Sequence, residues 1–263
     1  MRDGSSFRKK FRWLRETWSL FTSDRPQRRV TVAILSATAL LLTWKYFGTH
    51  TFFAAHAGSV IPVISDRDDV ALQTCAELYR FGSFAILCGV LPWLMIRFLY
   101  REPLAEYGLT SGPTRRHRRN TWRSVLVLTP VFILIGALSA LDPSLRAEFP
   151  FNRYAGDSIG LSVIHAAGYL VFYVAWEFFF RGFLQRTLSV SCGVATAILI
   201  QTSLSSMVHI GGPASETFSA IGGGLLWGVC VWRTGSILPG LAMHACMGLA
   251  LDTAICLTRT GPL

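Results

Sequence analysis

The side chains of this sequence that can do chemistry are the ionisable ones buried in apolar stretches, and they are unevenly placed. An ionisable group at the centre of a membrane helix costs roughly 2.5–3.5 kcal/mol on insertion scales, so each one asks for a partner or a function. The C-terminal half holds Glu177, Arg181, His209, His244 and Asp252, with His165 near the start of an apolar run. The N-terminal runs hold few. Glu177 and Arg181 are four apart, hence on one helix face, with Gln185 a turn further. Gln201, Ser205 and His209 form a second such stripe, and His244, Gly248 and Asp252 a third. Three polar stripes on three helices escape lipid only by facing one another.

A glutamate in a poorly hydrated cavity beside an arginine can act as a base toward water. Imidazole N–H groups can then donate to the oxyanion of a peptide under attack. Glu177, His209 and His244 also suit a divalent metal such as zinc, with one position left open for water. No HExxH spacing is present, so a metal is not required and no cofactor is expected. A plainer alternative stays open: a Glu–Arg pair and buried histidines also serve as satisfied packing groups between helices.

The elements that must position these groups follow from composition. Hydrophobic residues make up 51% and charged residues 15% of the 263, against about 25% charged in soluble domains. Disorder, a collagen repeat and a small disulfide scaffold are excluded, and the six cysteines show no CxxC spacing and read as packing residues. Of the net charge of +10, residues 1–29 contribute +6 (nine basic, three acidic) and residues 101–123 contribute +4 (six basic, two acidic). Charge confined to two patches between apolar runs is the pattern of a multispanning membrane protein, and nucleic-acid binding is not expected.

A span needs about 20 apolar residues, and seven stretches qualify, at 30–47, 80–99, 123–141, 160–180, 193–210, 217–232 and 237–257. Basic bias in the N-terminal segment and in the loop with Arg115, Arg116, Arg118 and Arg119 puts the N-terminus in the cytoplasm. The loops 48–79 and 142–159 then face outward, and Phe52–Ile64 can form a re-entrant piece. Phe7, Phe11, Leu14, Trp18 and Phe21 line one face of a helix whose other face carries Arg8, Lys9, Lys10, Arg12 and Arg15. This is the pattern of an interfacial amphipathic helix, and a cleaved signal peptide is not expected. The expected fold is thus an all-α polytopic transmembrane bundle of about seven spans. It divides into a basic segment 1–29, N-terminal transmembrane helices 30–141 and a core 160–257. Helix rise places Glu177, His209, His244 and Asp252 at depths compatible with one cavity inside the bilayer.

Around Trp176-Glu177-Phe178-Phe179-Phe180-Arg181-Gly182 the sequence resembles the CPBP intramembrane proteases, also called the Abi or CAAX-protease family. Their motifs are EExxxRG, then FxxxH on the next helix and HxxxN on the last. Glu177, Arg181, His209 and His244 follow that order, and Arg233–Gly240 resembles the approach to the last motif. Three positions depart from it. Trp176 stands at the first Glu, Ser205 at the Phe and Gly248 at the Asn. Glu216 and Asp252 are the carboxylates available as substitutes, Glu216 also reading as a simple helix-start acid.

The resemblance implies a glutamate-type intramembrane endopeptidase acting on a membrane-anchored protein or peptide. In that reading Glu177 activates water, Arg181 orients it or neutralises charge, and His209 and His244 stabilise the tetrahedral intermediate. An integral protein of a bacterial plasma membrane is expected. The rival is a non-catalytic member, a scaffold of the kind used in bacteriocin self-immunity, which Trp176 favours. A transporter would show repeated halves, and the sequence has none.

Overall fold

The structure, a computed structural model, describes the backbone of residues 4–60 and 69–259 and the side chains of 12–56 and 69–259. Ten helices follow one another: α1 Gly4–Thr22, α2 Arg25–Phe47, α3 His50–Val60, α4 Asp69–Tyr100, α5 Arg115–Ser139, α6 Pro143–Glu148, α7 Ile159–Cys192, α8 Val194–Val208, α9 Ala214–Thr234 and α10 Leu238–Leu257. No strand occurs among the described residues. The fold is an all-α helical bundle.

The starts follow local rules. Asp24 accepts from the Gln27 N–H with Pro26 in the first turn of α2, Thr114 caps α5 at His117, and Ser158 caps α7 at Leu161. Helices α2, α4, α5, α7 and α10 are long and apolar enough to cross a membrane. The expected stretch 193–210 becomes a helix of 15 residues, about 22 Å long at 1.5 Å per residue and so short of a full crossing. Helix α9 has 21 residues but is not among the five apolar enough to span.

Two helices outrun expectation. α4 begins at Asp69 instead of near 80, which brings Glu77 and Arg80 into the bundle. α7 continues unbroken through Arg181 to Cys192, with a π-helical turn over Phe178–Leu184 directly after Glu177. Such turns hold one extra residue, re-aim the following side chains, and occur often at functional sites. Of the amphipathic face expected before α2, Leu14, Trp18 and Phe21 lie exposed on α1. Phe7 and Phe11 and the cations Arg8, Lys9 and Lys10 fall outside the described side chains. The piece expected at Phe52–Ile64 appears as α3 up to Val60, its last residues lying outside the described ones.

An aromatic seam joins α4 to α7. Phe84 stacks on Trp176 at 5.3 Å and meets Phe172 at 4.7 Å, while Phe81 stacks on Tyr169 at 5.0 Å. Many exposed side chains of the long helices, among them Leu126, Leu134, Val163 and Val171, are apolar, as a lipid-facing surface requires. α5 lies along α10, and α9 closes against α8 and α10.

The two ends of the bundle differ. At one end Arg29 forks onto Glu102 at 2.6 and 2.7 Å, and the Ile237 N–H donates to the Gly108 carbonyl at 3.0 Å. Arg25 and Arg28 of the first basic patch and Arg115, Arg116, Arg118 and Arg119 of the second lie at this end. At the other end Lys45 Nζ donates to the carbonyls of Val208 (3.3 Å) and Ile210 (3.0 Å), and Ser215 Oγ donates to Asp142 at 2.6 Å.

Candidate functional site

The polar stripes do face inward, and they sort into separate clusters. Glu177, Gln185 and Gln201 are fully buried and Arg181 nearly so. The two glutamines serve the backbone. Gln185 Nε2 donates to the Gly228 carbonyl at 3.0 Å and Gln201 Nε2 to the Gly224 carbonyl at 2.9 Å, so α7 and α8 are both tied to α9. Each amide is satisfied on its nitrogen only, the Oε1 of both being buried without a partner.

The first cluster joins α7 to α10. Glu177 Oε1 accepts from Arg181 Nη1 at 3.2 Å and lies 2.8 Å from His244 Nδ1. Its Oε2 has no partner and faces Gly240, where an added Cβ would stand 2.7 Å from it. Only glycine admits that approach. Arg181 also lies 5.4 Å from the Trp227 ring and His244 4.3 Å from it. Trp227, buried on α9, was not singled out by the sequence reasoning, which had only an apolar run to go on there.

A second pair joins the end of α8 to the first turn of α9. His209 Nδ1 lies 2.8 Å from Glu216 Oε1. Glu216 is both the helix-start acid and the partner of His209, because the turn through Gly211–Pro213 folds back on itself. Trp176 lies between the two pairs, its ring 5.4 Å from His209 and 6.1 Å from His244.

Both histidines open onto one cavity of about 800 Å³, with Trp176, Tyr173, Arg181 and Glu216 also in its wall. Glu177 is not part of that wall; it sits behind His244. Each Nδ1 faces a glutamate oxygen, and in the tautomer that carries its proton on Nδ1 the Nε2 of each ring is left as an acceptor. Glu177, which the resemblance implies activates water, meets the cavity through the His244 ring. The cavity mouth is ringed by Lys45, Asp142, Gly212 and Ser215, at the end of the bundle opposite both basic patches. Asp142, outside the spans, has its carboxyl held below the ordinary range by donors from Ser215 and Ser144.

Asp252 lies elsewhere. Its Oδ2 is 2.9 Å from His165 Nε2, and His165 Nδ1 is 2.8 Å from Glu77 Oε1. All three are buried and none lines the cavity. Asp252 shares the helix face of His244, but eight residues of rise separate them by about 12 Å, which is enough to give it another neighbour. Glu77 was missed because the expected span began three residues after it.

The position of the family's last Asn is also accounted for. A Cβ at Gly248 would collide with the Tyr173 hydroxyl, and the Tyr173 ring is 4.5 Å from that of His244. A phenol from α7 thus occupies the space that a polar side chain on α10 would need. His244 turns Nδ1 to Glu177 and His209 turns Nδ1 to Glu216, and among the described residues no three His, Cys, Asp or Glu are grouped to hold a metal ion.

Comparison with known proteins gives one match. Residues 159–250 match the family model described as Rce1-like, type II CAAX prenyl endopeptidase Rce1-like. Neither a curated protein nor a solved structure matches the chain. The matched segment contains Glu177, Arg181, His209, Glu216 and His244 together with all of α7, α8 and α9 and over half of α10. Over this segment the chain is similar to the CAAX-protease family, and its apolar helices are those of an integral membrane protein.

Proposed function

We propose that the protein is an intramembrane endopeptidase that hydrolyses a peptide bond of a membrane-associated protein or peptide. The observation that carries this reading is the pair of carboxylate-backed imidazoles on one cavity, at the family's motif positions. His244, oriented by Glu177, takes a proton from water at Nε2 as the water attacks the scissile carbonyl. Its charge in that step is met by the carboxylate behind it, the role a buried acid plays behind a catalytic histidine. His209, held by Glu216, donates to the developing oxyanion when protonated, or returns a proton to the leaving amine. Arg181 pairs with Glu177 on the same helix face.

The Trp176 ring and the aromatic wall exclude bulk water and leave room for an extended apolar peptide. A prenylated C-terminus, the substrate named for the matched family, is one form such a peptide takes. With both basic patches in the cytoplasm, the cavity opens to the opposite side, and the scissile segment enters from there.

The test is hydrolysis in ¹⁸O-water of membrane-anchored reporter peptides by the protein in liposomes. One ¹⁸O atom in the new carboxyl group of the product is expected from the native chain, and none from His244→Gln. Cleavage that persists in His244→Gln would overturn the assignment. So would absence of cleavage across a peptide set covering both membrane faces.

A further inference from the structure

A charge in the cavity wall has no role in the chemistry above. Arg80, on α4, lines the same cavity as His209 and His244. Its guanidinium lies flat on Phe151 at 3.6 Å, with the Trp44 ring at 5.8 Å. Nη1 reaches His50 Nδ1 at 3.3 Å, and Nε is buried without a partner. Among the described residues no carboxylate lies within ion-pair distance of it. The acids nearby are engaged or distant: Glu77 is bound to His165, Glu216 to His209 and Asp142 to two serines, while Glu148 lies exposed at the rim.

A permanently charged group at this depth needs an anion, and a stacked guanidinium presents its edge in a fixed plane that matches a carboxylate. Lys45, also in the cavity wall, adds a second cation. The close contact with Phe151 holds the fork before any ligand arrives, so little ordering is needed on binding.

We propose that Arg80, flanked by His50, is a subsite for a carboxylate carried by the substrate peptide, either its C-terminus or an acidic side chain. The proposal rests on the endopeptidase reading for the identity of the ligand. The continuity of the cavity favours a peptide: an anion held at Arg80 belongs to the molecule whose bond reaches His244. Phe151 and Trp44 under the guanidinium make Arg80 a positioning residue that fixes which segment of the chain lies at the imidazoles.

The experiment measures binding, so it does not depend on turnover. Fluorescently labelled apolar octapeptides are titrated against the full chain in nanodiscs of neutral lipid, by anisotropy. One peptide ends in a free carboxylate, one in an amide, and one in an amide preceded by Glu. At least ten-fold tighter binding of one or both carboxylate peptides than of the plain amide is expected, and which of the two wins identifies the source. Arg80→Gln should abolish that preference, and Arg80→Lys should keep part of it. Equal affinity of all three peptides for the native chain overturns the proposal whether or not Arg80→Gln folds. A preference that survives in well-folded Arg80→Gln also overturns it, as does its disappearance when phosphatidylglycerol is added to the nanodiscs, which would make a lipid phosphate the ligand. Binding with the preference but without cleavage of any peptide would leave the subsite standing and remove the endopeptidase reading.

Discussion

Two groups of carboxylates and imidazoles lie along the same helices and differ in what is left over. In the Glu77–His165–Asp252 cluster both ring nitrogens are bound to acids, at 2.8 and 2.9 Å, and the imidazole has no nitrogen free. In the Glu177–His244 pair only Nδ1 is bound to an acid, and the ring borders a cavity. The first ties α4, α7 and α10 together through one ring. The second has an acceptor to offer a water molecule. Identical residue types are therefore sealed in one place and open to a cavity in the other, and on the proposed function the free nitrogen makes the difference.

The largest expected effect is at Glu177. Glu177→Gln removes the anion that orients His244, and a loss of roughly 10³-fold or more in turnover is expected, by comparison with loss of the buried acid in a catalytic triad. It also strands Arg181, which is almost wholly buried and has no other ion-pair partner among the described residues. Breaking a buried pair costs about 3–5 kcal/mol, so thermal unfolding in detergent should fall as well. Glu177→Gln combined with Arg181→Met should recover stability without recovering turnover. Full recovery of both would place Glu177 with the structural cluster.

The sealed cluster should respond the other way. His165→Gln leaves Glu77 and Asp252 facing each other without a cation, and a loss on the order of 3 kcal/mol in unfolding free energy is expected. Turnover per folded molecule should stay within a few-fold of native. Smaller still is Glu216→Gln, which frees His209 to adopt either tautomer. About ten-fold in rate is expected, or 1.4 kcal/mol, with no change in melting temperature. An unchanged rate would mean that Glu216 is only a helix-start acid.

The smallest effect tests the basic end, far from either cluster. The Arg29 fork holds the Glu102 carboxyl below its ordinary value of 4.5, with the Tyr107 hydroxyl also donating to it. Because the folded value is the lower one, the stabilisation is complete above the unfolded value and is lost as pH falls through the folded one. Below pH 4.5 the native chain should lose more stability than Glu102→Gln. The difference should be about 1 kcal/mol or less, since the pair is partly exposed.

How much of this was legible from the sequence depends on what periodicity encodes. Helical spacing identifies a face, so the inward stripes of Glu177–Arg181–Gln185 and Gln201–Ser205–His209 could be read directly. It does not identify a partner across the bundle. Asp252 shares a face with His244, and the added rise gives it to His165 instead. Glu77 could have been found by asking what neutralises His165, but a window on apolar residues alone starts the span after it. Trp176 reads as the loss of a carboxylate. In the fold it is the wall between two Glu–His pairs, and no local signal encodes that. The collision of Gly248 with Tyr173 needs two helices in register and is likewise absent from any one segment. The shortness of α8 follows from the turn signals Gly193 and Gly211-Gly212-Pro213 on either side of it.

The most direct test of the central distinction is one preparation scheme applied to His244→Gln and His165→Gln, with turnover per folded molecule and melting temperature measured on both. The account predicts that His244→Gln melts like the native protein and has no detectable turnover, whereas His165→Gln melts early and keeps near-native turnover per folded molecule. Turnover retained in well-folded His244→Gln, or abolished in the folded fraction of His165→Gln, would contradict it.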